Sequence, residues 1–557
     1  MVLAEPWCCA TSCGTPLDSR AAPWYHSYDM FVRTKIFKNR DGSTRTYLQI
    51  VKGEREGLKV RQVVVANLGR LEELRNGGVD RLIEGLARFS RYQLVKDDTA
   101  KPKPGWNKAW GPVLIFRRLW DELGLPAILE RLMGDSAATC DYPEAIFAMV
   151  LNRLCDPASK LRVSEWIRTV YSPEWESLEL QHFYRALDFL TERKAEIETA
   201  VYDRASNLFN LQLDLVLWDT TSTYFEGRAA EGLAEYGFSK DRRPDRVQIM
   251  VGALMSRDGF PIAHEVFPGN TAEVETFRHV LAEVRTRFNL RRVILVVDRG
   301  MVSEKVLEEI EKAGLVYIVG VRMRKLSAAA EVLSRAGRYR EVSPNLKVKE
   351  VLHEGRRYIV CLNPEEVDRD ATVREEALAK LQEKLRSGKV KQLIGNSAFR
   401  RYLRLSGAGV SIDTDAVEAE ARYDGKYVLR TNSSLSPEDV ALSYKSLWQV
   451  ERAFRELKSG LDLRPVYHWT EKRIRGHVMV CFLALVLETA LRRKLAVVEA
   501  NVRYDDLLQH LTELRAIEIS LDGRYYLTRT ELTGHASLAF KALGIRPPAH
   551  VTEMPRP

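Results

Sequence analysis

The chain has 557 residues, 45% of them hydrophobic and 29% charged, and 85 Lys plus Arg against 76 Asp plus Glu give a formal charge of +9. That length suggests about three or four domains, and the composition excludes global disorder and a small disulfide-stapled scaffold. The basic balance sets a prior for a polyanionic partner such as nucleic acid. Seven cysteines, with Cys8, Cys9 and Cys13 crowded near the N-terminus, form no repeated C-x-x-C pattern. They argue against a zinc site and suit a reducing cytosol. The N-terminus lacks the basic stretch and apolar run of a secretory signal. The best membrane candidate, the apolar run 478–487, has half the length a bilayer needs and reads as a buried helix.

Residues 1–29 follow neither structural period; the expectation is a disordered tail or an over-extended reading frame ahead of a natural start at Met30. From Met30 to about 100 the pattern is β-rich: FVRTKIF, a turn at Asp41-Gly42, TRTYLQIVKG and KVRQVVVANLGRL. Residues 105–210 turn helical, with Pro112, Pro143 and Pro173 at expected helix starts and one amphipathic run from His182 to Phe209. This region is a DNA-binding module or plain scaffold, and no helix-turn-helix signature chooses between them. From 211 to 323 the order is three strands, helix, strand, helix, strand, an α/β layer order, with Arg257-Asp258-Gly259 as a turn. A mixed segment follows at 324–430, with strands such as RRYIVCL and a highly charged helix near 371–386. An amphipathic helix is expected over 437–461 and a buried one over 470–494, within a segment 431–500; 501–557 form a C-terminal region.

Two aspartates end apolar strands, Asp219 in LVLWDTTS and Asp298 in LVVDRG. A strand-end aspartate is commonly a turn former or helix cap, so the reading depends on a third group. On the 437–461 helix, Tyr444, Trp448, Glu451, Arg455 and Lys458 share one face by spacing, beside an apolar stripe of Leu447, Val450, Phe454, Leu457 and Leu461. A solvated charged face gives the same pattern. Glu456 points away from that line, leaving Glu451 as the candidate. Three carboxylates that meet would bind divalent metal, since magnesium takes oxygen ligands, and two ions can drive phosphodiester attack. Residues 451–494 carry ten Lys/Arg against five Asp/Glu, concentrating basic charge beside the carboxylates.

With these residues in place the chain resembles the DDE transposases of bacterial insertion sequences, in the IS-four superfamily and its IS-sixteen-thirty-four-like group. The family carries a tyrosine, arginine, glutamate and lysine at fixed spacing. Here YKSLWQVERAFRELK matches with Tyr444, Glu451 and Lys458, while Leu447 stands at the arginine's place and Lys445 or Arg455 are its candidate substitutes. WDTTSTYF, PIAHEVFPGNTAEVETF, LVVDRGMVS and RPVYHWTEKRIRGHVMVCFLAL extend the resemblance from about Met30 to Leu495.

The resemblance implies an α/β fold: a ribonuclease-H-like catalytic core with a mostly β insertion domain at 324–430. It implies Asp219, Asp298 and Glu451 as catalytic metal ligands for two Mg2+, with Mn2+ as substitute. It implies DNA contacts from Tyr444, Trp448, Arg455, Lys458, Arg473, Arg475 and His477. The partners it implies are double-stranded DNA at element ends and target, and a second copy of the chain in the DNA complex; no membrane is expected, and the location is cytoplasmic. His264 reads as a packed strand histidine, and Arg322 and Arg324 as surface or DNA-facing residues. A binding-only derivative and a nuclease without strand transfer are the rival readings; intact, mutually repelling carboxylates count against the first.

Overall fold

The computed structural model describes residues 30–555 apart from 57–58, 76, 88, 91–101, 135–140, 210, 212–213, 228, 288–292, 300, 325–326, 388–396, 407–408, 499–500 and 522. The expected extension 1–29 lies outside the described residues. Two compact units divide the chain, Met1–Lys101 and Pro102–Pro557. In the first, strands β1 (Met30–Lys38), β2 (Thr44–Glu56) and β3 (Lys59–Arg70) form an antiparallel meander, followed by the helix Gly78–Ala87. The β1–β2 turn is held by Asp41 Oδ1, which accepts from the Ser43 N–H at 3.0 Å.

The second unit opens with β4 (Lys103–Ala109) and the helices Gly111–Glu122, Leu125–Met133, Tyr142–Cys155, Lys160–Trp166, Leu180–Glu192 and Lys194–Phe209. Pro112 and Pro143 sit in first helical turns, whereas Pro173 starts only a 3-10 turn, Pro173–Trp175. The run 182–209 is two helices, broken at Arg193, whose φ of −104° and ψ of 12° leave the helical region. Strands β5 (Leu215–Tyr224), β6 (Gln248–Ser256) and β7 (Pro261–Pro268), the helix Glu273–Arg287, β8 (Ile294–Val297), the helix Glu304–Lys312 and β9 (Val316–Gly320) then follow in the expected order.

β5, β8 and β9 are parallel to one another, while β6 and β7 add antiparallel on the other side of β5. The segment 324–430 departs from the expected mostly β insertion. Its longest element is the helix Pro364–Arg386, and β10 (Arg340–Ser343), β11 (Leu346–His353), β12 (Arg356–Leu362) and β15 (Lys426–Thr431) extend the core sheet. The sheet thus has nine strands, ordered β10-β11-β12-β15-β9-β8-β5-β6-β7. The physical reason is the open edge of β9: its unpaired backbone groups bond antiparallel to β15. Among the described residues of the segment, only a separate hairpin, β13 (Leu403–Ser406) with β14 (Gly409–Ile412), stands off that sheet. After β15 come the helices Pro437–Lys445 and Trp448–Arg455 and the long helix Glu471–Val497. The helices Tyr504–Glu513 and Ala536–Ala542 follow, with β16 (Arg515–Leu521), β17 (Arg524–Arg529) and β18 (Val551–Met554) around them. β16–β18 join β4 in a four-stranded sheet, so the chain's last segment pairs with the start of this unit.

Side chains alternate across the core sheet as the pleat requires. Val216 and Trp218 pack with Phe277 and Val280 of the helix Glu273–Arg287 and with Val306 and Ile310 of Glu304–Lys312. Leu215 and Leu217 face the opposite layer, where Val450, Phe454 and the helix Glu471–Val497 lie. That helix is long and apolar enough to cross a membrane, yet 89% of its most apolar window is buried inside the protein. It is apolar all round because the helices Tyr142–Cys155 and Leu180–Glu192 and the strand β7 pack on different sides of it. Each buried leucine or valine stabilises by about 1.5–3 kcal/mol, so this girth makes the helix the rod of the second unit.

Its crossing with Leu180–Glu192 depends on Gly476, where a Cβ would lie 2.4 Å from the Leu187 carbonyl oxygen. Gly476→Ala is expected to destabilise by about 1–3 kcal/mol, because backbone rather than a flexible side-chain end is in the way. Urea unfolding checks this, and an unchanged midpoint would show that the two helices part freely.

Candidate active site

The site is built by register. Trp218 of β5 is paired with Val297 of β8, so the next residues, Asp219 and Asp298, come at the same level of adjacent parallel strands. Asp298 follows the end of β8 as expected, whereas Asp219 lies inside β5 rather than at its end, because β6 pairs with the strand as far as Tyr224. The alternation of the two strands sends both to the face of Leu217 and Val296, away from Trp218 and Val297. On that face the helix Pro437–Lys445 packs on β8 and β9, and Trp448–Arg455 packs on β5 and β6.

The expected single helix 437–461 is in fact divided. Ser446 donates its hydroxyl to the Leu442 carbonyl at 3.1 Å, and Leu447 N–H bonds three residues back to Tyr444, tightening the turn. After Arg455 the backbone widens into a π turn, Glu456–Gly460. The residues expected on one continuous face therefore take different partners. Tyr444 turns inward: its hydroxyl donates to Asp298 Oδ1 at 2.6 Å, and its ring stacks on Tyr427. Burial and the adjacent Asp298 carboxylate hold the Tyr444 hydroxyl well above its ordinary pKa. Gly320 makes the room, since a Cβ there would come 2.4 Å from that hydroxyl oxygen.

Lys458 donates to Asp241 Oδ1 at 2.7 Å, and Arg464 pairs with the other oxygen at 2.8 Å. Glu451 and Arg455 are exposed, and Trp448 is 51% exposed. Leu447 is buried in the apolar layer, as its place beside the stripe suggested. Glu456 instead meets Arg492, on the side away from the carboxylates.

Asp219 has a more crowded setting. Its Oδ1 accepts from the Thr220 N–H at 2.7 Å and lies 3.7 Å from Lys240 Nζ, which is also 3.0 Å from Glu273 Oε1. Burial pushes the Asp219 carboxyl from its ordinary 3.8 up to about 6; Lys240 and the Thr220 N–H oppose this, while Asp298 and Glu273 reinforce it. Lys240, Asp241 and Glu273 were not singled out in the sequence. Lys240 and Asp241 sit in the charged loop FSKDRRPDR, which reads as solvated surface, and Glu273 was visible only as part of the block GNTAEVETF.

Several expectations are corrected. Among the described residues no group of three or more His, Cys, Asp or Glu stands ready to hold a metal ion. Asp219 and Asp298 come together while Glu451 stays at the surface of the helix packed on β5; three carboxylates at contact distance would repel one another. His477 is not a DNA-facing residue. It is 2% exposed, its Nε2 lies 3.1 Å from the Leu463 carbonyl, and burial holds it well below its ordinary pKa, because it falls on the inner side of the rod helix.

Tyr444 and Lys458 are engaged by Asp298 and Asp241 rather than presented to a strand of DNA. Arg475 donates to the Val266 carbonyl at 2.7 Å and to Glu471, and Arg473 lies over the Tyr184 ring; both remain partly exposed. Arg322 donates to the Arg299 carbonyl, and Arg324 pairs with Glu420. His264 is packed as expected, against Phe482 and Glu198.

Comparison with known families decides the assignment. Residues 213–487 match the transposase DDE domain, and residues 32–98 match the N-terminal domain of IS1634 family transposases. The chain belongs to the DDE transposases, in the IS1634 group. Asp219, Asp298 and Glu451 all fall within the matched DDE domain. Among solved structures it is similar to the Mos1 transposase paired-end complex with left transposon end, at 18% identity and a TM-score of 0.14. That alignment covers 43% of this chain and 66% of the other, just under two thirds of its length. A search of curated proteins gives no match.

Two outcomes are expected at this site. A carboxyl with a raised pKa favours the fold when protonated, so its contribution is full below about pH 4 and lost as pH rises through about 6. In EDTA at pH 7, Asp219→Asn should therefore raise stability by roughly 1–3 kcal/mol, with the gain vanishing near pH 4. Chemical denaturation at the two pH values reads this, and an equal effect at both would contradict it. Gly320→Ala should displace the Tyr444 hydroxyl from Asp298, so its effect on activity should not add to that of Tyr444→Phe. A double-mutant cycle measures it, and full additivity would separate the two residues.

Proposed function

We propose that this transposase binds the terminal inverted repeats of its insertion sequence, cleaves DNA at the element ends and joins the freed 3′-OH ends to target DNA. The observation that carries the reading is the in-register pair Asp219 and Asp298 on one face of the sheet, with the Glu451 helix packed against the same strands. The strand order β7-β6-β5-β8-β9, with helices linking β7 to β8 and β8 to β9, supports a ribonuclease-H-like core.

The donor set fits a hard divalent ion. Asp219 is a poorly solvated carboxyl with two carboxylate neighbours and a single ammonium, and magnesium is usually held by one or two carboxylates with water and phosphate oxygens completing its shell. Asp219 and Asp298 would hold one ion, and Glu451, from the facing helix, would join Asp219 or Asp298 on a second. Bound there, Mg2+ or Mn2+ supplies Lewis-acid stabilisation of the phosphodiester oxygens and of the attacking water or 3′-OH. The chain's own side chains do the orienting. The Tyr444 hydroxyl fixes one oxygen of Asp298, leaving the other free to ligate. The Lys458–Asp241–Arg464 cluster anchors the loop that flanks Asp219. Exposed Trp448 and Arg455 lie next to Glu451, where a ring can stack on a base and a guanidinium can meet the backbone of double-stranded DNA. Arg473 and Arg475 add partly exposed charge further along. Two copies of the chain would bridge the two element ends.

The test uses the full chain and labelled duplex covering the gene's own flanks, with magnesium, manganese or EDTA. Cutting at the element ends should require the metal and fall by about 10²-fold or more in Asp298→Asn and in Glu451→Gln. Cutting that survives EDTA, or both substitutions, would sink the three-carboxylate mechanism.

A further inference from the structure

The loop between β5 and β6 delivers Lys240 into the carboxylate site and fixes it at several points. Its backbone N–H donates to Ser222 Oγ at 2.9 Å, and its Nζ donates to the Thr220 carbonyl at 2.6 Å. The same Nζ lies 3.0 Å from Glu273 Oε1 and 3.7 Å from Asp219 Oδ1. The next residue, Asp241, is held by Lys458 and Arg464. Ordering a long flexible stem costs conformational entropy, which these charge-assisted bonds oppose. The side chain nevertheless keeps 29% of its surface in solvent, so the ammonium is fixed but open to an incoming anion.

We propose that Lys240 is a further catalytic residue. Its ammonium is kept on Asp219 and Glu273 until a divalent ion takes Asp219, and it then contacts a non-bridging oxygen of the scissile phosphate. The inference rests on the metal-dependent reading of this site. An ammonium and a divalent ion would repel each other at the same carboxylate, so Lys240 would leave Asp219 where Asp219 holds an ion. Ser222 holds the lysine's backbone and Glu273 remains a partner, which confines the displaced head to the site. The anion brought to that place is the phosphate itself, and a preorganised cation there stabilises charge that grows as the phosphodiester is attacked.

The experiment pairs calorimetric titration of the full chain with Mn2+ alone and cutting of labelled duplex covering the gene's flanks. Wild type is compared with Lys240→Met, Lys240→Arg and, as the metal-site control, Asp219→Asn, with unfolding temperatures checking that each is folded. Lys240→Met should bind Mn2+ about tenfold more tightly, because the competing charge is gone. It should nonetheless cut about 10²-fold more slowly, and Lys240→Arg should recover part of the cutting. Tighter metal with slower cutting is a combination that loss of a merely structural lysine does not produce. Unchanged or weaker Mn2+ affinity in Lys240→Met, or unchanged cutting, would overturn the assignment. If Lys240→Met does not fold, wild-type rates together with weakened Mn2+ binding in Lys240→Arg would overturn it equally. Identical Mn2+ titrations of wild type and Asp219→Asn would instead remove the metal-dependent reading, and this inference with it.

Discussion

The parallel pairing of β5 with β8 is the constraint on which the site depends. It sets Trp218 beside Val297 and therefore Asp219 beside Asp298. A shift of β5 by one residue would turn Trp218 out of its cluster with Phe277 and Val280 and turn Asp219 away from Asp298 and the facing helices. Burial of the tryptophan on one face thus holds the carboxylates on the other. The energy that fixes the active-site geometry is hydrophobic, supplied by Trp218 and Val297 on the far face of the sheet and by Leu217 and Val296 on the face of the chemistry.

That arrangement brings like charges together, and the surroundings answer with neutral donors and a cation. Tyr444 donates to Asp298, Lys240 bridges Asp219 and Glu273, and Asp241 collects Lys458 and Arg464. A second ionic cluster lies in the same unit around Glu198, which is buried and pairs with Lys194, Arg287 and His264. Together Lys194, Arg287 and His264 hold the Glu198 carboxyl well below its ordinary pKa, although burial alone would raise it. This cluster ties the helix Lys194–Phe209 to β7 and to Glu273–Arg287. Breaking one partner of such a buried group is far more costly than its net contribution suggests, because the remaining charge is stranded.

Legibility of the sequence followed the range of the interactions. The strand end at Asp298, the turn at Arg257-Asp258-Gly259 and the buried helix expected over 470–494 are local patterns of hydrophobic period and punctuation, and each lies close to where those patterns placed it. β5, by contrast, runs on past Asp219 to Tyr224 because β6 pairs with its second half. The division of 437–461 was hidden, because it depends on a hydroxyl bond from Ser446 and a π turn that leave the apolar stripe unchanged. His477 read as DNA-facing because it follows a basic stretch, yet it lies on the side of the rod helix turned toward Leu463, with Cys481 one turn further along the same side. The extension of the sheet by β15, β12, β11 and β10 was equally invisible, since strand partners are chosen by an edge far away in sequence.

By itself the sequence determined which residues carry charge, where the apolar periods change, and the family motifs that place two aspartates and a glutamate in one domain. Those are properties of residue type and spacing. Tertiary structure alone decided which charges meet: that Lys240 lies on Asp219, that Lys458 is paired with Asp241, that Tyr444 serves Asp298, and that Glu451 stands apart at the surface. The reason is physical. A charged side chain takes its meaning from neighbours within a few ångströms, and those neighbours are supplied by strand register and helix packing across hundreds of residues of chain.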